Sequence, residues 1–131
     1  MESDKVYRII FYLGAGCNFS AAVSVLLLMD SLPRIIGIEP PRYSILIYFN
    51  LMSIFFFGCM QWTIARNLRL NRSMVKILMW AKFAMAIVFL YAHIVDPPVK
   101  ELALFLVPLV SMDFLFGLAF WRFLVYSRAR H

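Results

Sequence analysis

Four stretches of about twenty residues, nearly free of charge, leave few folds open to this chain. The first runs from Ile9 to Met29 and contains no Asp, Glu, Lys or Arg. As a helix rising about 1.5 Å per residue it covers roughly 31 Å, the thickness of a bilayer's hydrocarbon core. The others span about residues 43–64, 75–94 and 102–126. None alternates apolar and polar side chains with the period of two that a membrane β-barrel strand requires. Inside lipid a helix satisfies its backbone N–H and C=O groups internally. The sequence therefore predicts an all-α, integral membrane four-helix bundle, with residues 1–131 forming one transmembrane domain.

Composition excludes the other classes. Hydrophobic residues make up 63% of the chain and charged ones 15%, against about 25% charged in soluble domains. A mean hydropathy of +0.81 is too apolar for a small soluble domain, which must keep much of its surface wet. The two cysteines, Cys17 and Cys59, lie inside apolar runs, where a thiol behaves as a small hydrophobe. The net charge of +6 would suit a nucleic-acid partner only if the basic residues formed a face. They sit instead at the ends of the apolar runs, so the expected partner is the lipid bilayer, with no nucleic acid.

Those ends set an orientation. Lys5, Arg8, Arg66, Arg69, Arg72, Lys76, Arg122, Arg128 and Arg130 fall on one side, and only Arg34, Arg42 and Lys100 on the other. Cytoplasmic loops carry the excess of Lys and Arg, so both termini and the Ala65–Met74 loop are expected in the cytoplasm. On the opposite side Pro40-Pro41 and Pro97-Pro98 stop one helix and set the entry to the next. The stretch Ile35-Ile36-Gly37-Ile38 is expected to form a simple turn in the headgroup layer. The first run exceeds the apolar part of a signal peptide and is followed by Asp30-Ser31-Leu32-Pro33-Arg34, without a small-residue cleavage site. It is expected to be a retained first helix.

Charge in hydrocarbon is a functional hypothesis by default, and two charged residues lie well inside the runs: Lys82 and Asp113. Counted from the inner ends, Lys82 is about 9 Å deep, Asp113 about 14 Å, Asn18 about 15 Å and Gln61 about 7.5 Å. One residue from each span thus reaches the same half of the membrane. Turned to one centre, Asn18, Gln61, Lys82 and Asp113 would form a small polar cluster. They would serve either as hydrogen-bond glue between helices or as a transport or catalytic site. Side chains tilt toward their helix N-terminus, which leans Lys82 inward and Asp113 outward. Lys82 can therefore snorkel to the inner surface or bend back to the carboxylate. Asp113 is too short to escape and must meet protein, water or a proton.

Gly16, Ser20 and Ser24 recur every fourth residue on the first span. A small-residue face of this kind lets a second helix approach closely. It is expected to pack inside the bundle, with a partner subunit as the other option. Asn50, on the second span, is a further candidate for a hydrogen bond between helices. No metal site is expected: His131 has no ligand partner at helical spacing, and Asp96, three residues after His93, stands just before the double proline, where a loop contact is expected instead. A lone His93 would suffice only as an axial ligand to a haem or chlorophyll. No nucleophile triad, phosphate-binding loop or dinucleotide fingerprint is present.

The order of a small-residue first span with Asn18, a second span ending FFFGCMQWTIARN, a basic hairpin, Lys82 in the third span and Asp113-Phe114 in the fourth resembles small DoxX-like bacterial membrane proteins. The resemblance implies a four-helix bundle and, for some members, a link to quinone or thiol oxidoreductase systems. It carries over no cofactor ligand and no catalytic residue. Short loops and four spans leave no aqueous domain. The expected role is a non-catalytic accessory or structural subunit of a larger membrane complex, its partners being other membrane subunits or copies of itself. The alternatives are an oligomeric small-solute or proton-coupled transporter using Asp113 and Lys82, and a quinone-linked redox helper of DoxX-like type.

Overall fold

The computed structural model describes residues 2–37, 39, 44–95 and 100–128. Five helices follow one another: α1 (Glu2–Leu28), α2 (Leu32–Ile36), α3 (Ser44–Arg66), α4 (Arg72–Val95) and α5 (Lys100–Arg128). The described residues contain no strand. Four helices are long and apolar enough to cross a membrane, and each apolar run falls on one of them, except that Met29 follows α1 and Tyr43 lies outside the described residues. The helices overrun the runs, however: α1 begins at Glu2 rather than near Ile9, and α4 at Arg72 rather than near Val75. A helix continues past the apolar core when its polar first turn reaches the watery surface, so composition marks the span and not the helix end. The double prolines, Arg42, Asp96, Arg130 and His131 lie outside the described residues.

Local chemistry sets the turns. After α3, the Asn67 carboxamide accepts the Leu70 N–H at 3.2 Å, while the Asn71 carboxamide donates to the Thr63 and Asn67 carbonyls at 3.1 and 2.9 Å. Two asparagines thereby satisfy groups that helix ends leave bare. The Asn71 carbonyl then accepts the Val75 N–H at 3.1 Å, which opens α4. The stretch Ile35–Ile38 is expected as a simple turn; Ile38 lies outside the described residues, Gly37 is in a turn, and Ile35 and Ile36 belong to the single-turn helix α2. Pro33 sits in its first turn, where its missing N–H costs no hydrogen bond. Gly37 closes it at φ 77°, donating its N–H to the Pro33 carbonyl. That left-handed backbone is one glycine adopts readily.

α1 packs mainly along α3, and α4 along α5. The two pairs meet through a core at the end of the bundle that holds the termini. Phe11 and Phe120 stack there with centroids 4.6 Å apart and planes 10° from parallel. Phe123 stands edge-on to Phe11 at 5.8 Å. Ile64, Ala65, Val75 and Leu78 complete this fully buried centre. Toward the other end packing thins: among the described residues, α4 beyond Lys82 and α5 ahead of Gly117 contain no buried side chain. Pro108 lies in that open part of α5, where it withdraws a backbone donor from the Leu104 carbonyl.

Candidate functional site

The four polar residues that depth places in one layer form two pairs. In the first helix pair, Asn18 Nδ2 donates to Gln61 Oε1 at 2.8 Å. Gln61 is completely buried, and its Nε2 has no hydrogen-bond partner among the described residues. In the second, Lys82 Nζ donates to Asp113 Oδ1 as a charge-assisted hydrogen bond. Among the described residues no hydrogen bond or ion pair connects one pair to the other. The single polar centre that depth alone suggests is thus divided between the two halves of the bundle.

Each pair depends on a glycine or a ring beside it. A Cβ on Gly14 would stand 2.9 Å from Gln61 Nε2, inside any allowed contact, so the bare backbone of α1 makes the notch that houses the amide. Phe19 closes on Gly58 in the same way, with its ring 2.7 Å from where a Cβ would be. On the other side Phe83 lies against Gly117 and makes an edge contact with Phe114 at 5.7 Å. Those contacts place Phe83 of α4 beside Phe114 and Gly117 of α5, and the neighbouring Lys82 meets Asp113. Pairing, rather than snorkelling, is what the structure adopts. The three glycines were not singled out in the sequence. Their only signal is a glycine within an apolar span, where small residues admit close neighbours.

Exposure divides the ion pair unequally. The Lys82 side chain is 7% exposed and that of Asp113 30%. The ammonium is enclosed by protein, whereas the carboxylate has an open flank. With Oδ1 on the lysine, Oδ2 remains able to accept a hydrogen bond or a proton.

Gly16, Ser20 and Ser24 lie elsewhere. All three are exposed, and nothing stands within 4 Å of a Cβ added to Gly16. The expectation that this face packs inside the bundle is therefore corrected. α1 meets α3 through Gly14, Asn18 and Phe19, and Ala15 and Ala22 of α1 are also buried, on faces other than the one the spacing marked. Asn50 is likewise exposed. His93 is exposed and stacks on Phe89 at 6.1 Å.

Polar contacts at the termini end were also not foreseen. Arg72 Nη2 donates to the Leu124 carbonyl at 3.2 Å, fastening the start of α4 to the last turns of α5, where a cation suits the helix dipole. Asp4 accepts a hydrogen bond from the Tyr126 hydroxyl at 3.3 Å and lies 3.7 Å from the Arg69 guanidinium. Comparison with known proteins finds no family model, curated protein or solved structure that matches the chain. The class that fold and composition define is a helical bundle with four spans able to cross a membrane.

Proposed function

We propose that this chain is a non-catalytic accessory subunit of a larger integral membrane complex, with both termini in the cytoplasm. The observation that carries the reading is the outward face of Gly16, Ser20 and Ser24, which the bundle's own packing leaves uncovered. Small residues at this spacing let a second helix come close enough for extensive van der Waals contact. The pairing of Asn18 with Gln61 and of Lys82 with Asp113 supports it further, since those groups then serve as glue within each helix pair. The orientation rests on the nine-to-three division of Lys and Arg, and a bacterial inner membrane on the DoxX-like resemblance.

Mild-detergent extraction followed by stoichiometric analysis tests the role. A companion subunit should co-purify in fixed ratio and be lost in Ser20→Leu, while the variant bundle stays folded. A stable wild-type monomer that never carries a companion overturns it.

The open flank of Asp113 favours a second reading, an oligomeric transporter in which the carboxylate takes a proton or small cation and Lys82 is its counter-charge. Flux into proteoliposomes that disappears in Asp113→Asn supports that reading, and absence of flux removes it. The quinone-linked redox helper has the DoxX-like resemblance as its support. Mass spectrometry of lipids extracted from the purified protein tests it by the presence of a quinone.

A further inference from the structure

A furrow of about 550 Å³ runs between α4 and α5, and none of the four paired polar residues lines it. Phe83 and Leu118 lie at its deep end, Trp80 and Trp121 along its walls, and Lys76 and Arg128 at its mouth. The mouth is at the end of the bundle that holds the termini. Lys76 is seven residues from Phe83, and Arg128 ten from Leu118, so the furrow extends about 10–15 Å along the helices. Half of a bilayer's hydrocarbon core is about 15 Å. The apolar trough is therefore one leaflet deep, and its two cations stand where that leaflet's headgroups would be.

We infer that this furrow is a binding site for one anionic phospholipid of the leaflet on the termini side. This rests on the membrane-spanning reading of the four helices and is independent of any partner subunit. The acyl chain lies between Trp80 and Trp121, and the phosphate is held by Lys76 and Arg128. Both cations are exposed, and neither forms an ion pair among the described residues, whose salt bridges are Arg69–Asp4 and Lys82–Asp113. They are free to bind an anion. A zwitterionic lipid would fill the trough equally well but would bring its own cation to the mouth. Charge complementarity therefore selects a net negative headgroup. A transmembrane helix of a second copy would satisfy the apolar walls and leave both charges unanswered.

Trp80 and Trp121 supply the readout. With Trp62→Phe, the furrow contains the remaining tryptophans of the chain. The protein is reconstituted in phosphatidylcholine vesicles with a small fraction of lipid brominated on its acyl chains, as either phosphatidylglycerol or phosphatidylcholine. Bromine quenches indole fluorescence on contact. We expect brominated phosphatidylglycerol to compete for the furrow about five-fold or more better than brominated phosphatidylcholine, about five-fold being the scale for one surface cation. Lys76→Gln with Arg128→Gln should abolish the preference and leave quenching by phosphatidylcholine unchanged. Lys76→Arg with Arg128→Lys should retain it. Equal quenching by the two lipids overturns the assignment, as does a preference that survives loss of both cations. Tryptophans that neither lipid quenches in protein that floats with the vesicles also overturn it, and indicate a protein occupant. None of these outcomes depends on whether a companion subunit co-purifies.

Discussion

Gln61 fits its carboxamide into the notch that Gly14 leaves on the facing helix, so close that a single added methyl group would stand 2.9 Å from Nε2. The notch and the Asn18 hydrogen bond hold the same amide, its Nε2 against Gly14 and its Oε1 on Asn18. Gly14→Ala should push the amide aside and destabilise the α1–α3 pair by about 1–3 kcal/mol, the usual range for overfilling a packed interior. Gly16→Ala, two residues away in open space, should cost nothing and gain up to about 1 kcal/mol from alanine's greater helix propensity. Unfolding of each variant in detergent micelles makes the comparison, and equal stability of the two disproves the notch.

Lys82 and Asp113 should behave as one unit. Removing either partner strands the other charge in an apolar span, whereas removing both leaves only shape to repair. Lys82→Met and Asp113→Leu are each expected to lose about 2 kcal/mol or more. The double variant should lose less than their sum, by about 1–3 kcal/mol. Asp113→Asn should be milder than Asp113→Leu, since a carboxamide oxygen still accepts from the ammonium. Strict additivity in this cycle would mean that the two side chains do not depend on each other.

The aromatic centre at the termini end should dominate stability. Phe11 and Phe120 are completely buried and stacked on each other, so truncating either to alanine opens a cavity worth about 3 kcal/mol. Phe56, 58% exposed on α3, should tolerate alanine at nearly no cost. Thermal unfolding that ranks Phe56→Ala with Phe11→Ala would displace the core from where the structure has it.

Orientation is tested by cysteine labelling in a background without Cys17 and Cys59. Ser3→Cys and Ser73→Cys should react only after the membrane is opened to the reagent, and Pro98→Cys in intact cells. The reverse pattern inverts the topology.

Four long helices were legible in the sequence because uninterrupted apolar length, measured against a fixed bilayer thickness, is a one-dimensional property. What lay beyond reach was rotation. Depth places Asn18, Gln61, Lys82 and Asp113 in one layer, yet only the azimuth of each helix decides who meets whom, and in spans apolar on every side no polar face announces it. The same ambiguity misdirected the reading of α1. Gly16, Ser20 and Ser24 form the more regular small-residue stripe, while α1 meets α3 through Gly14, Asn18 and Phe19. The Lys82–Asp113 bond was ambiguous for another reason: a lysine stem has enough length to reach either the surface or the carboxylate, and only its surroundings choose.

The concentration of packing at one end has a mechanical consequence. The aromatic layer around Phe11 and Phe120 clamps all four spans near the termini, while the far portions of α4 and α5 contain no buried side chain among their described residues. Such a bundle accommodates bilayer thickness asymmetrically. In a thinner or thicker membrane the far ends of these two helices tilt or spread at modest cost, and the clamped end keeps its register. Mismatch is absorbed on the side away from the termini, beyond the Lys82–Asp113 tie, so the leaflet facing the termini meets a surface of fixed shape whatever membrane the protein occupies.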